Sequence, residues 1–224
     1  MSEHEPLRPL SDSQREAAEE ATATYQAALT RDAAVYLSAR GIDRSVAATF
    51  RLGVVSNPFP GHSRFTGFLS IPYLDRERKA LTLRFRCLQE HDHRAYGHGK
   101  YMSLPEDPAR VYNIKSIHEA DDEIHVCEGE MDAITLNVIG LPAIAIPGAQ
   151  GWRPHHRRML AGFSRVWVWG DPDDAGAQFT QKVTNSLRQA KGVRLQGDDV
   201  NTTFIKHGEQ ALLDLIATPK GIAA

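Results

Sequence analysis

Three short acidic runs carry the most chemistry in this 224-residue chain. They are Glu128 and Asp132 in CEGEMDA, Asp171, Asp173 and Asp174 in WGDPDDAG, and Asp198 and Asp199 in QGDDVN. Carboxylates crowded together repel unless a cation neutralises them or some keep a proton. A donor set made of oxygens suits Mg2+ or Mn2+ rather than zinc. A pair of such ions is a common device for moving phosphoryl groups. Taken singly, each acid would serve as well as a helix N-cap or a solvated turn residue. Only their conjunction points to a site.

That conjunction depends on the elements beneath. Short apolar runs at 123–127 (EIHVC), 142–147 (PAIAIP), 165–169 (RVWVW) and 192–196 (GVRLQ) predict strands. Helical stretches are expected near 130–139, 154–162, 175–190 and 208–217. Alternating strands and helices imply a parallel sheet covered by helices. In such a sheet, functional groups collect beyond the carboxyl ends of the strands. The first, third and fourth strands each end in one of the acidic runs. Gly129, Gly170 and Gly176 sit where the backbone must turn tightly from strand to helix. The Pro147–Gln150 turn follows the second strand at the same edge and offers backbone to a phosphate.

The part before residue 112 reads differently. Ser11 to Arg40 is helical in pattern and ends at Gly41, a C-cap residue. A shorter helix follows at 43–50. FLSIPYL (68–74) and ALTLRFRCL (80–88) alternate apolar and polar residues, as the arms of a hairpin do. Residues 90–108 read as loop, and His91, His93 and His98 within it as part of a solvated polar segment rather than a metal site. Trp152, Trp167 and Trp169 read as packing residues. His155 and His156 open a helix beside Arg157 and Arg158, a possible addition to a nucleic-acid surface. The expected division is a disordered leader at 1–20, a mixed α+β lobe at 21–112, an α/β lobe at 113–217 and a tail at 218–224.

Charge supports that division. Residues 1–30 hold two basic and six acidic side chains, 31–110 hold thirteen and eight, and 111–224 hold eleven and fourteen. The net −2 therefore hides a basic middle segment suited to an anionic partner. No apolar run is long enough for an ordinary transmembrane helix, and the polar start does not resemble a secretory signal. Cys87 and Cys127 are too few for a four-cysteine zinc site or a disulfide framework. A cytoplasmic protein without zinc is expected.

The α/β half resembles a TOPRIM domain, the fold shared by DnaG-type primases, topoisomerases and related nucleases. The resemblance rests on the Glu-Gly of CEGEMDA and the Asp-x-Asp of DPDDAG, in the same order. VYLSARGIDRSVAATFRLGVV (35–55), the hairpin at 68–88 and GKYMSLPED (99–107) resemble the preceding part of a DnaG-type catalytic core. EGEMDAI and DVNTTFIKHG look more like a primase than a topoisomerase. The expected fold is thus α/β: a TOPRIM domain, its parallel sheet flanked by helices, preceded by a smaller mixed α+β basic lobe.

The resemblance also implies roles. Glu128, Asp171 and Asp173 would bind catalytic metal, with Asp132 and Asp199 supporting and Asn201 a weaker, neutral ligand. Lys100 and Tyr101 match the family's Lys-Tyr element, and Lys100 would join the catalytic set. Arg86 matches an arginine that binds nucleotide or template. Arg84 shares its strand face, so two guanidinium groups would meet phosphate together; Arg110 is a further candidate. The implied reaction is two-metal nucleotidyl transfer: a hydroxyl attacks the α-phosphate of a ribonucleoside triphosphate, with single-stranded DNA as template. Lacking zinc-ribbon cysteines, the chain looks like a phage-type catalytic core. A replicative helicase, and a separate zinc-ribbon protein for template recognition, would be its partners, and no membrane. A TOPRIM nuclease and a non-catalytic DNA-binding subunit of a split primase remain as rivals.

Overall fold

The computed structural model describes residues 9–105, 107–148 and 151–217. The chain forms two compact units. One runs to Tyr36 and resumes over Arg44–Arg110; the other takes Leu37–Asp43 and everything from Val111. Among the described residues no helix is long and apolar enough to cross a membrane.

The first unit begins with α1 (Asp12–Ala27), α2 (Arg31–Ser38), whose last two residues pass into the second unit, and α3 (Arg44–Thr49). Ser11 caps α1 in a reciprocal box: its hydroxyl accepts from the Gln14 N–H, while its own N–H donates to Gln14 Oε1. That box brings residues 12–20, expected within the leader, into regular helix. The single helical stretch expected from Ser11 to Arg40 is divided at Ala28–Thr30, where the Thr30 hydroxyl accepts from Ala33 N–H and starts α2 anew.

Strands β1 (Gly53–Val54), β2 (Leu69–Leu74), β3 (Ala80–Arg86) and β4 (Tyr101–Ser103) form one antiparallel sheet in that order. Leu83 and Phe85 of β3 pack into a core with Tyr25 of α1, Phe65 and Phe68, and Phe65 stacks on Phe85 with centroids 4.0 Å apart. The buried Tyr25 hydroxyl is satisfied by His62 Nδ1 at 2.8 Å and by the Phe59 N–H.

The second unit comprises α4 (Lys115–Glu119), β5 (Glu123–Cys127), α5 (Glu130–Val138), β6 (Ala143–Ala145), α6 (His156–Leu160), β7 (Arg165–Trp169), α7 (Asp174–Ser186), β8 (Ala190–Gly192), α8 (Val200–His207) and α9 (Glu209–Ala217). Its four-stranded sheet has the order β6-β5-β7-β8, all parallel. Ile124, Val126, Val166 and Val168 meet Phe179 and Val183 of α7 in its core. The α/β class with a mixed preceding part is therefore as the sequence implied.

Differences in detail have local causes. The fourth strand lies at 190–192 rather than 192–196. Gly192 allows close approach to α7, since a Cβ there would come within 2.6 Å of Thr180 Cγ2. Residues 37–43, expected in the first lobe, belong to the second unit, where Leu37 and Ile42 are buried. Trp169 is buried and donates through Nε1 to His125 Nδ1 at 2.9 Å. Burial pushes His125 down to about 4, which keeps it neutral. His156 is likewise buried, pushed down to about 4 by desolvation and then by His155 and Arg153, so it is not a surface residue. Ala149 and Gln150 of the expected phosphate-contacting turn lie outside the described residues.

Candidate active site

The carboxyl edge of the parallel sheet is built by register. Cys127 pairs with Ala145 on one side and Trp169 on the other, so Glu128 and the turn after Trp169 leave the sheet at one level. The Asp171 N–H donates to Glu128 Oε1 at 3.2 Å and joins the two runs directly. Asp173 caps α7 through the Gly176 N–H at 2.8 Å, and Asp199 caps α8 through the Thr202 N–H at 2.6 Å. Asp132, in the first turn of α5, accepts from the Asn201 N–H at 3.0 Å. Backbone donors thus orient four of these acids, and the rigid ends of helices carry them.

The glycines serve by close approach, not by unusual dihedrals. A Cβ on Gly176 would lie 2.1 Å from the Asp171 carbonyl oxygen, and one on Gly170 2.3 Å from the Gly176 carbonyl oxygen. The turn bearing Asp171 and Asp173 packs against α7 so tightly that side chains there are excluded.

The acids burden one another. Glu128, 9% exposed, is pushed up to about 7, first by burial and then by Asp171 and Asp173. Asp132, 8% exposed, is pushed up to about 8 by burial, then by Asp199 and Asp171. Asp171 is raised by burial, Asp199 and Asp173. Half-desolvated carboxylates coupled in this way, all offering oxygen, fit a hard divalent cation. The five sequence candidates Glu128, Asp132, Asp171, Asp173 and Asp199 are therefore brought into mutual electrostatic contact.

Asn201 differs from expectation. Its Oδ1 accepts from Arg40 Nη1 at 2.9 Å, and its Nδ2 donates to the Arg40 carbonyl and to Thr135 Oγ1. The amide is an internal tie, not an outward ligand. Arg40 was not legible as a site residue, although its charge also draws Asp132 downward. Its place beside Gly41 reads only as a helix end.

In the first unit, Arg84 pairs with Ser103 and Arg86 with Tyr101 across β3 and β4. Both guanidinium groups lie over the Tyr101 ring, at 5.1 and 4.8 Å, and Arg86 also lies 5.1 Å from the Tyr36 ring. Arg86 donates to the Tyr101 hydroxyl. It is only 5% exposed, and its Nε has no hydrogen-bond partner among the described residues. The pair expected to be displayed together is thus half inside, with Arg84 the more open. Lys100 is exposed beside Tyr101. Arg110 is engaged elsewhere: its Nε lies 3.9 Å from Asp107 Oδ1, and Asp107 also accepts from Thr82 Oγ1.

The histidine segment is a largely exposed loop, as expected, but its histidines are half-buried and drawn together. Ligand atoms of Cys87, His91, His93 and His98 all lie within 4.8 Å of one another. Cys87, read from sequence as the next-to-last residue of a strand, completes a set whose histidine spacing alone is irregular.

A Toprim-like family model matches residues 125–203, a span that holds every acid of the cluster. The Gene 57 protein of Mycobacterium phage D29 is 34% identical over 157 residues, which is 68% of this chain and 99% of the phage protein. The chain belongs to that phage protein's family. Among solved structures, the RNA polymerase domain of Mycobacterium tuberculosis primase DnaG superposes with a TM-score of 0.77 at 21% identity, covering 92% of this chain and 84% of that one. A DnaG primase catalytic domain bound to ssDNA gives 0.71 at 20% identity, covering 92% and 78%. The fold of this phage-type family member is thus the DnaG catalytic core, Toprim domain included.

Proposed function

We propose that this chain is a DNA primase, a DNA-directed RNA polymerase that makes short RNA primers on single-stranded DNA. The observation that carries the reading is the convergence of Glu128, Asp171, Asp173 and Asp199 on one sheet edge, where backbone N–H groups hold an oxygen of Glu128, Asp173 and Asp199 and the one on Glu128 comes from Asp171 itself. A primase-type role is supported by the DnaG core fold, and the matched DnaG domain bound to ssDNA supports that template.

Mg2+ or Mn2+, held by Glu128, Asp171 and Asp173 with Asp132 and Asp199 in support, would stabilise charge developing on phosphate and on the attacking hydroxyl. The chain's own groups do the rest. Backbone donors keep the carboxylates in place before substrate arrives, so little reorganisation accompanies the reaction. Arg84 and Arg86, fixed by Tyr101, meet phosphate oxygens with planar donors. Lys100 supplies a mobile positive charge for nucleotide phosphates, including the departing pyrophosphate. Arg110 helps through field rather than contact, being paired to Asp107. Template binding through phosphates makes the interaction sensitive to salt. The protein would act in the cytoplasm of a host cell, beside a replicative helicase and with a separate zinc-ribbon protein for template recognition.

The test is incubation with single-stranded template, labelled ribonucleotides and Mg2+ or Mn2+. Short RNA products are expected, reduced on the order of 10^3-fold in Glu128→Gln and Asp171→Asn. Template degradation would favour a Toprim nuclease. Binding without either reaction, and indifferent to those substitutions, would leave a DNA-binding subunit.

A further inference from the structure

The cluster of Cys87, His91, His93 and His98 is separate in residues and chemistry from the acid edge. β3 ends at Arg86 and β4 begins at Tyr101, and the Cys87 N–H donates to the Lys100 carbonyl at 2.9 Å, so the hairpin's last rung lies between these two residues. Residues 88–99 leave and return through that rung. Within them Asp92 Oδ1 accepts from the Arg94 N–H, Gly97 adopts φ +70°, and the His98 N–H donates to the His93 carbonyl. This turn folds His93 and His98 back onto His91, with ring centroids 4.6 to 5.3 Å apart.

The geometry points to a structural zinc site. Cys87 Sγ lies 3.8 Å from His91 Nε2, and His91 Nε2 lies 3.2 Å from His98 Nε2. A tetrahedral zinc with ordinary Zn–N and Zn–S bonds holds neighbouring ligand atoms about 3.3–3.7 Å apart. His98 Nδ1 lies 3.0 Å from the Gly99 carbonyl, the contact of an Nδ1–H donor, which leaves the Nε2 lone pair for the metal. His93 Nδ1 is buried without a hydrogen-bond partner among the described residues. One sulfur and three imidazoles form a borderline-soft set that favours zinc over Mg2+. Four protein ligands leave no open position, so the metal holds the chain rather than performing chemistry. What it holds is the connection between Arg86 and the Lys100–Tyr101 pair.

The full chain, purified without chelator, should carry about one zinc per molecule by elemental analysis, and cobalt exchanged into it should show the visible bands of a tetrahedral site with a thiolate-to-cobalt transition. The transition should vanish in Cys87→Ser. Cys87 is buried and its loss could disturb folding, so His93→Gln and His98→Gln, at half-buried positions, provide the second test. Each should keep the native circular dichroism and lose most of the zinc. In Asp171→Asn the thiolate transition should persist, since cobalt held by the acids has no sulfur ligand. Removing the metal should speed tryptic cleavage after Arg94 by about tenfold or more as the loop opens. Absence of a thiolate transition in cobalt-exchanged protein, or full zinc content in the His93→Gln, His98→Gln double variant, would overturn the assignment.

Discussion

The carboxyl edge of the parallel sheet and the end of the β3–β4 hairpin both gather groups that a cation would join, and they do so in opposite ways. The first uses oxygens alone, oriented by helix caps and raised by burial and then by mutual repulsion. The second uses one sulfur and three nitrogens drawn from a single turn. Hard, exchangeable ions that carry substrate phosphates suit the first; a closed, inert ion suits the second. Reactivity goes with charges left in tension, and structural binding with one thiolate and neutral imidazoles already gathered together.

The largest expected effect separates the two. Asp171→Asn should reduce primer synthesis on the order of 10^3-fold yet leave zinc content unchanged, whereas His93→Gln with His98→Gln should remove zinc and leave the calorimetric Mg2+ signal. A variant that lost both ions at once would collapse the distinction. Next comes the arginine pair. Arg86→Ala leaves a gap between Tyr36 and Tyr101, and should weaken single-stranded DNA binding about tenfold and cost about 2 kcal/mol of stability in chemical denaturation. Arg84→Ala, at the more open position, should affect binding more than stability.

A pH titration of metal-free protein sharpens the contrast further. Glu128 and Asp132 are raised to about 7 and 8, so the folded chain holds protons that the unfolded chain releases from about pH 4 upward, and stability falls as pH rises through that window. His125 and His156, lowered to about 4, work the other way up to about pH 6.5. Above that only the acids remain. The thermal midpoint should therefore drop by about 2–6 °C between pH 6.5 and 8, and Mg2+ or Asp132→Asn should flatten the drop. An unchanged midpoint would mean that burial and the neighbouring carboxylates do not raise these acids. The smallest effect distinguishes charge from cap: Asp173→Asn keeps an acceptor for the Gly176 N–H, whereas Asp173→Ala should lose about 1 kcal/mol more.

The sequence was most legible where backbone pattern and burial agree. β5 and β7 are apolar runs buried in the middle of a parallel sheet, and their bounds match the pattern residue for residue. It was less so where a local bond decides. Nothing in an alanine-rich stretch reveals that Thr30 will cap a new helix. The polar, β-branched α8 carries no clear helical face in its sequence, yet Asp199 starts it. The acids were readable because strand ends are regular. The Cys-His set was not, because four unevenly spaced residues meet only after a turn has folded. Asn201 shows the same limit: its type suggested a ligand, and its partners Arg40 and Thr135 make it a tie.

That tie has a consequence for synthesis on the ribosome. Arg40 and Asn201 are separated by 161 positions, and both the side chain and the carbonyl of Arg40 are bound by the same amide. At about 5–20 residues per second, some 8–32 s pass between the emergence of one partner and the other. During that interval Arg40 lacks its partner and Gly41 the Phe204 ring of α8, while the antiparallel sheet of residues 53–103 can already pair. The second unit thus closes last, on a segment made among the first.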